Sequence, residues 1–194
     1  MQSITSGVRA FTGLLVGRVY LIEDADGLSL VDTGLGLTAN KIITQLRQLG
    51  RSPTDVKRIL ITHAHPDHVG GLPRRPSQPR PPRILFKPTP VDQAVQDSDV
   101  IEALGGLRVV FTPGHALGHI VFWQPERKIL FCGDVLFNTP SLRLPFAPLT
   151  VDMAENIRSI KQVAQLGAEL VCFGHGQPLT QNSAQRLRDF AARL

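Results

Sequence analysis

A chain of 194 residues matches one domain in length, and its 42% apolar content can close a hydrophobic core, which excludes a disordered polyelectrolyte. No apolar run approaches the roughly 20 residues that cross a bilayer, and the run at residues 14–22 is broken by Gly17 and Arg18. The net charge of +5 sits in one stretch: Arg74, Arg75, Arg80, Arg83 and Lys87 lie between Asp67 and Asp92 with no acid among them.

A solvated basic loop is therefore expected there, and a nucleic-acid partner is not. The first ten residues carry one arginine and no export pattern, so a cytoplasmic location without membrane contact is expected. Cys132 and Cys172 each sit inside a short apolar run and read as free core thiols.

In chain order, residues 14–23 and 28–31 read as a β-hairpin around the turn Asp24-Ala25-Asp26-Gly27. Ile42, Ile43, Leu46 and Leu49 recur at helical spacing and predict a helix over residues 38–49, with Thr38 as its cap and Gly50 as its stop. Residues 56–62 predict a strand that ends in a histidine run. Five prolines with arginines between them predict an extended loop at about residues 73–83. Short strands are expected at 84–86, 100–103, 107–111, 120–123 and 128–132. A helix at 153–166, a strand at 169–173 and a helix at 183–194 complete a single domain spanning residues 1–194.

All six histidines, His63, His65, His68, His115, His119 and His175, fall in Gly- or Pro-flanked turns that follow predicted strands. Asp32, Asp67 and Asp134 fall in similar places. Strand ends at one sheet edge converge in space, and neutral imidazoles with carboxylates suit zinc, iron or manganese. Three histidines and an aspartate within six residues are hard to explain as separate structural side chains. His63 and His65 alternate, so an extended segment can point both the same way, while Asp67 and His68 reach a neighbouring position.

The run Thr62-His63-Ala64-His65-Pro66-Asp67-His68-Val69-Gly70-Gly71 resembles the H-x-H-x-D-H signature of the metallo-β-lactamase superfamily. Thr112-Pro113-Gly114-His115, Cys132-Gly133-Asp134 and Gly174-His175-Gly176 resemble its later motifs in the same order. The resemblance implies an α/β fold, an αβ/βα four-layer sandwich of two mixed sheets flanked by helices. It implies one metal on His63, His65 and His115, a second on Asp67, His68 and His175, and Asp134 bridging both. Asp32 would support the ligand loop and His119 would orient neighbouring loops, neither touching metal.

Two divalent ions about 3.5 to 4 Å apart can share a water and acidify it to a metal-bound hydroxide, the expected nucleophile, with Asp67 as the catalytic carboxylate. Zinc is the first expectation, with iron or manganese as alternatives. The motifs most resemble the glyoxalase II-like group, which implies a small-molecule thioester or ester as substrate. Glyoxalase II binds glutathione through a further C-terminal region. Only 19 residues follow His175, so a glutathione thioester is not expected. The same fold hosts nucleases, mononuclear iron sulfur dioxygenases and lactonases. The lactonases place a tyrosine at the substrate carbonyl, whereas Tyr20, the single tyrosine, lies in an early predicted strand.

Overall fold

The computed structural model describes residues 1–72 and 91–194. The predicted loop at 73–83 and strand at 84–86 lie outside the described residues. A first sheet is built from β1 (Gln2–Thr5), β2 (Val8–Ala10), β3 (Tyr20–Asp24), β4 (Gly27–Val31) and β5 (Val56–Leu60), adjacent in that order. Its pairs are antiparallel except β4–β5, which is parallel and so needs a crossover, supplied by α1 (Thr38–Gln48).

The second sheet contains β6 (Val100–Ile101), β7 (Leu107–Phe111), β8 (Ile120–Gln124) and β9 (Ile129–Gly133). A small ribbon, β10 (Phe137–Asn138) with β11 (Leu142–Arg143), follows. Helix α3 (Met153–Ala164) then carries the chain back to β12 (Leu170–Phe173), which pairs parallel with β9, giving the order β12-β9-β8-β7-β6. The chain has by then passed the short α2 (Pro66–Val69) and ends in α4 (Ser183–Ala191).

Side-chain alternation sets the layers. Tyr20 and Ile22 of β3 meet Ile120 and Phe122 of β8 and Phe131 of β9 between the sheets. Leu21, Leu28 and Leu30 face the other way and pack on Ile42 and Leu46 of α1. Val121, Trp123 and Leu130 cover the far side of the second sheet beneath Ile160 and Val163 of α3 and Leu187 of α4. The result is the expected αβ/βα sandwich. Strands covered on both faces read as unbroken apolar runs, as β8, β9 and β12 do.

Local departures have local causes. The strand expected from residue 14 begins at Tyr20, because Phe11 N–H donates to Val19 O (3.0 Å) and closes residues 11–19 as a loop, with Gly13 and Gly17 at φ 68° and 73°. Thr38 opens α1 but does not cap it: Leu37 holds the cap position without a side-chain hydrogen bond, while Thr38 N–H donates to Leu35 O. Gly50 (φ 70°) ends that helix as expected. β1 and β2 were not foreseen. Cys132 and Cys172 are free and buried. Among the described residues no helix is long and apolar enough to cross a membrane.

Candidate metal centre

Five strands, β4, β5, β7, β9 and β12, deliver their C-terminal ends to one edge of the sandwich. The turns that follow carry Asp32, His63 with His65, His115, Asp134 and His175 respectively. After His65, Pro66 opens α2, and the N–H groups of His68 and Val69 both donate to His65 O. That single turn swings Asp67 and His68 toward the same edge.

The seven side chains expected as ligands come together. One donor atom each from His63, His65 and His115 lies within 4.8 Å of the others; the same holds for His63, His68 and Asp134, and for Asp67, His68 and His175. Asp134 Oδ2 is the hub, 3.2 Å from His175 Nε2, 3.4 Å from both His68 Nε2 and His115 Nε2, and 3.9 Å from His63 Nε2. Asp67 Oδ2 lies 3.0 Å from His175 Nε2 and 3.7 Å from His68 Nε2. His65 Nδ1 stands 3.0 Å from His115 Nε2.

Asp32 and His119 act around this cluster. Asp32 takes a left-handed backbone (φ 61°), which costs roughly 1–2 kcal/mol, and its carboxylate is saturated with donors. It accepts Thr62 N–H (2.9 Å), the Thr62 hydroxyl (2.9 Å) and His68 Nδ1–H (2.7 Å). His68 is thereby held through Nδ1–H and turns its Nε2 inward. Because the Thr62 proton goes to Asp32, its oxygen accepts His63 Nδ1–H (3.1 Å), which turns His63 Nε2 inward as well. His119 Nε2 accepts Asp134 N–H (2.9 Å) and its Nδ1–H donates to Thr112 Oγ1 (2.8 Å). Both ring nitrogens are engaged, so His119 fixes the Asp134 turn and offers nothing to an ion.

Two residues that sequence reasoning gave no role, Thr62 and Thr150, complete the orientation. Thr150 hydroxyl donates to Phe146 O (2.9 Å), so its oxygen accepts His115 Nδ1–H (3.2 Å), and His115 Nε2 faces the hub. Thr62 stood inside the first motif, but its partner lies 30 residues away. Thr150 carries no signal in the sequence at all. Tyr20 is buried and donates to Phe173 O (2.8 Å), linking the sheets outside the cluster.

Charges in the cluster balance one another. Burial pulls the His175 imidazole down, but hydrogen bonds to Asp134 and Asp67 outweigh it and raise it to about 9. His68 is raised well above the usual imidazole range, its burial overcome by Asp32 and Asp134. Asp134 is held well below the carboxylate range, the contacts from His175 and His68 outweighing burial. His115 is pushed down to about 4 by burial, and His63 and His65 are lowered for the same first cause.

The cluster fits divalent cations by its own geometry. His63 Nε2, His68 Nε2 and Asp134 Oδ1 are buried with no hydrogen-bond partner, at a cost of roughly 1–3 kcal/mol each. All three belong to the cluster. Gly174 leaves the space beside them open, since a Cβ there would lie 2.0 Å from Asp134 Oδ1 and 2.8 Å from His68 Cε1. Nitrogen and carboxylate donors without thiolate are the set that zinc, iron and manganese accept.

The likenesses to known proteins agree with this architecture. The chain is 28% identical over 186 residues to the probable metallo-hydrolase YybB of Bacillus subtilis, covering 85% of this chain and 83% of that one. It is 30% identical over 139 residues to the atrochrysone carboxyl ACP thioesterase of Aspergillus fumigatus, covering 69% of this chain but 42% of the relative. The lactamase-like protein adaB of Aspergillus niger, 31% identical over 188 residues, is covered to 57% of its length and covers 91% of this chain. Among solved structures, the metallo-beta-lactamase family protein TTHA1429 from Thermus thermophilus superposes with a TM-score of 0.77 at 27% identity, over 98% of this chain and 80% of that one. A sequence profile of the metallo-beta-lactamase superfamily matches residues 12–85 and 73–175, and the chain belongs to that superfamily.

Proposed function

We propose that this metallo-β-lactamase-fold hydrolase holds two divalent ions, zinc first, and hydrolyses a small thioester or ester of the kind the glyoxalase II-like group takes. In this reading His63, His65 and His115 hold one ion, Asp67, His68 and His175 the other, and Asp134 spans both. The observation that carries it is Asp134 Oδ2, set 3.2–3.9 Å from four imidazole nitrogens that belong to both groups. The thioesterase name of the Aspergillus relative supports the substrate class.

Bound there, divalent ions would acidify water toward a pKa of about 7, in the case of zinc, and polarise a carbonyl oxygen. The protein's own share is orientation. Asp32, Thr62 and Thr150 aim three ring nitrogens inward, so no rotamer must be reset when the ions enter. Asp67 is half-buried and reaches the cluster from its solvent side. Its carboxylate orients the attacking water and accepts the proton that water loses. The single tyrosine, Tyr20, is buried with its hydroxyl donated to Phe173 O, so it is not offered to a substrate carbonyl as a lactonase would need, and the basic residues that would favour a nuclease fall outside the described residues.

A panel of thioesters, lactones, β-lactams and phosphodiesters, assayed on metal-loaded wild type and Asp67→Asn, tests this. Thioester or ester turnover reduced at least about a hundredfold by Asp67→Asn is the expected result. Metal analysis of the same preparations should give two ions per wild-type chain. Turnover unchanged in Asp67→Asn, or one ion or none in wild type, would sink the two-metal reading.

A further inference from the structure

A groove of about 530 Å³ opens beside His175, between residues 11–18 and the loop at 174–177. That volume suits a small-molecule site. One wall is apolar, made of Phe11, Leu14, Leu15 and Val16, with Leu15 87% and Val16 41% exposed. Among the described residues no carboxylate lines it. The nearby Asp67 and Asp134 are turned toward the imidazoles.

Among the described residues the permanent charge in the lining is Arg18. Its backbone N–H donates to Gly174 O (2.8 Å), which fixes it against the turn that carries His175. The Arg18 side chain is half-buried, and among the described residues its guanidinium forms no ion pair or hydrogen bond. A partly covered arginine without a protein acceptor keeps donors that only water or a ligand can meet. A planar five-donor fork without a protein acceptor, in a groove free of acids, is built to receive an acceptor from outside.

We propose that Arg18 anchors an anionic group of the substrate, a carboxylate or a phosphate, in this groove, with the substrate's apolar portion against Leu14, Leu15 and Val16. This rests on the hydrolase reading, and it narrows the substrate to acidic thioesters or esters. The anion sits on Arg18 and the scissile carbonyl faces the cluster across His175. Neutral esters of similar size lack that anchor.

Metal-loaded wild type, Arg18→Met and Arg18→Lys are assayed with three probes: neutral butyryl-N-acetylcysteamine, glutaryl-N-acetylcysteamine with a carboxylate on the acyl side, and butyryl-coenzyme A with phosphates on the thiol side. The expected result is a KM raised about tenfold or more by Arg18→Met for one anionic probe, with kcat within about twofold and the neutral probe unaffected. Arg18→Lys should recover part of the loss. The anionic probe that responds distinguishes carboxylate from phosphate. Equal effects on neutral and anionic probes, or no effect on any, would overturn the assignment.

If wild type turns over none of the three, the thioester reading fails and the anchor is decided by calorimetry of glutarate and inorganic phosphate. Binding weakened about tenfold by Arg18→Met for either anion supports the anchor. Equal binding of both by wild type and variant overturns it.

Discussion

Three threonine hydroxyls decide which nitrogen of three imidazoles carries the proton. Thr62, Thr150 and Thr112 hold His63, His115 and His119 in turn, and in the first two cases the hydroxyl proton is itself committed to Asp32 or to Phe146 O. The histidines were legible in the sequence because ligand spacing is local. Their orienting hydroxyls were not, since Thr150 meets His115 only across 35 residues of chain. Arg18 reads in the sequence as nothing more than a break in an apolar run. Thr150→Val keeps the shape and removes the acceptor, so on the proposed two-ion reading affinity for the ion held by the three histidines should fall about 10- to 100-fold while Thr150→Ser restores it. Competition against a fluorescent chelator measures this; equal affinity in all three proteins would deny Thr150 a positioning role.

At the scale of elements, legibility followed burial. β7, β8, β9 and β12 appear within about one residue of their expected bounds, the last three because strands buried on both faces leave continuous apolar runs. β1 is short and largely exposed, and pairs only at the rim of its sheet, so its sequence carries no such run. The same burial gives the strands their weight in stability. Phe122 is 1% exposed, with its ring between the sheets beside Ile120 and Phe131. Phe122→Ala should cost about 3–5 kcal/mol in urea denaturation, against under 1 kcal/mol for the exposed Leu37→Ala. A loss below 1 kcal/mol at Phe122 would mean that the two sheets do not share this core.

Over the whole molecule, the centre fastens the two sheets together, since His63, His65, Asp67 and His68 follow strand β5 of the first sheet and His115, Asp134 and His175 follow strands of the second. Without ions, protonated imidazoles take the cationic part of that fastening. His175, raised to about 9 from an ordinary 6.5, stabilises the metal-free fold fully below pH 6.5, and that contribution is lost as pH rises through 9; His68 acts in the same direction. Ions must displace those protons, so their affinity rises with pH over this window, by up to about tenfold per pH unit for each proton released. The metal-free protein therefore loses stability over this window, whereas the metal-loaded protein, whose two imidazoles are unprotonated both folded and unfolded, does not. Melting curves of the loaded and chelator-treated protein should diverge from pH 6.5 to 9, the gap in Tm widening steadily with free ion held constant. A gap that stays constant or narrows over that range would mean that His68 and His175 do not exchange protons for metal.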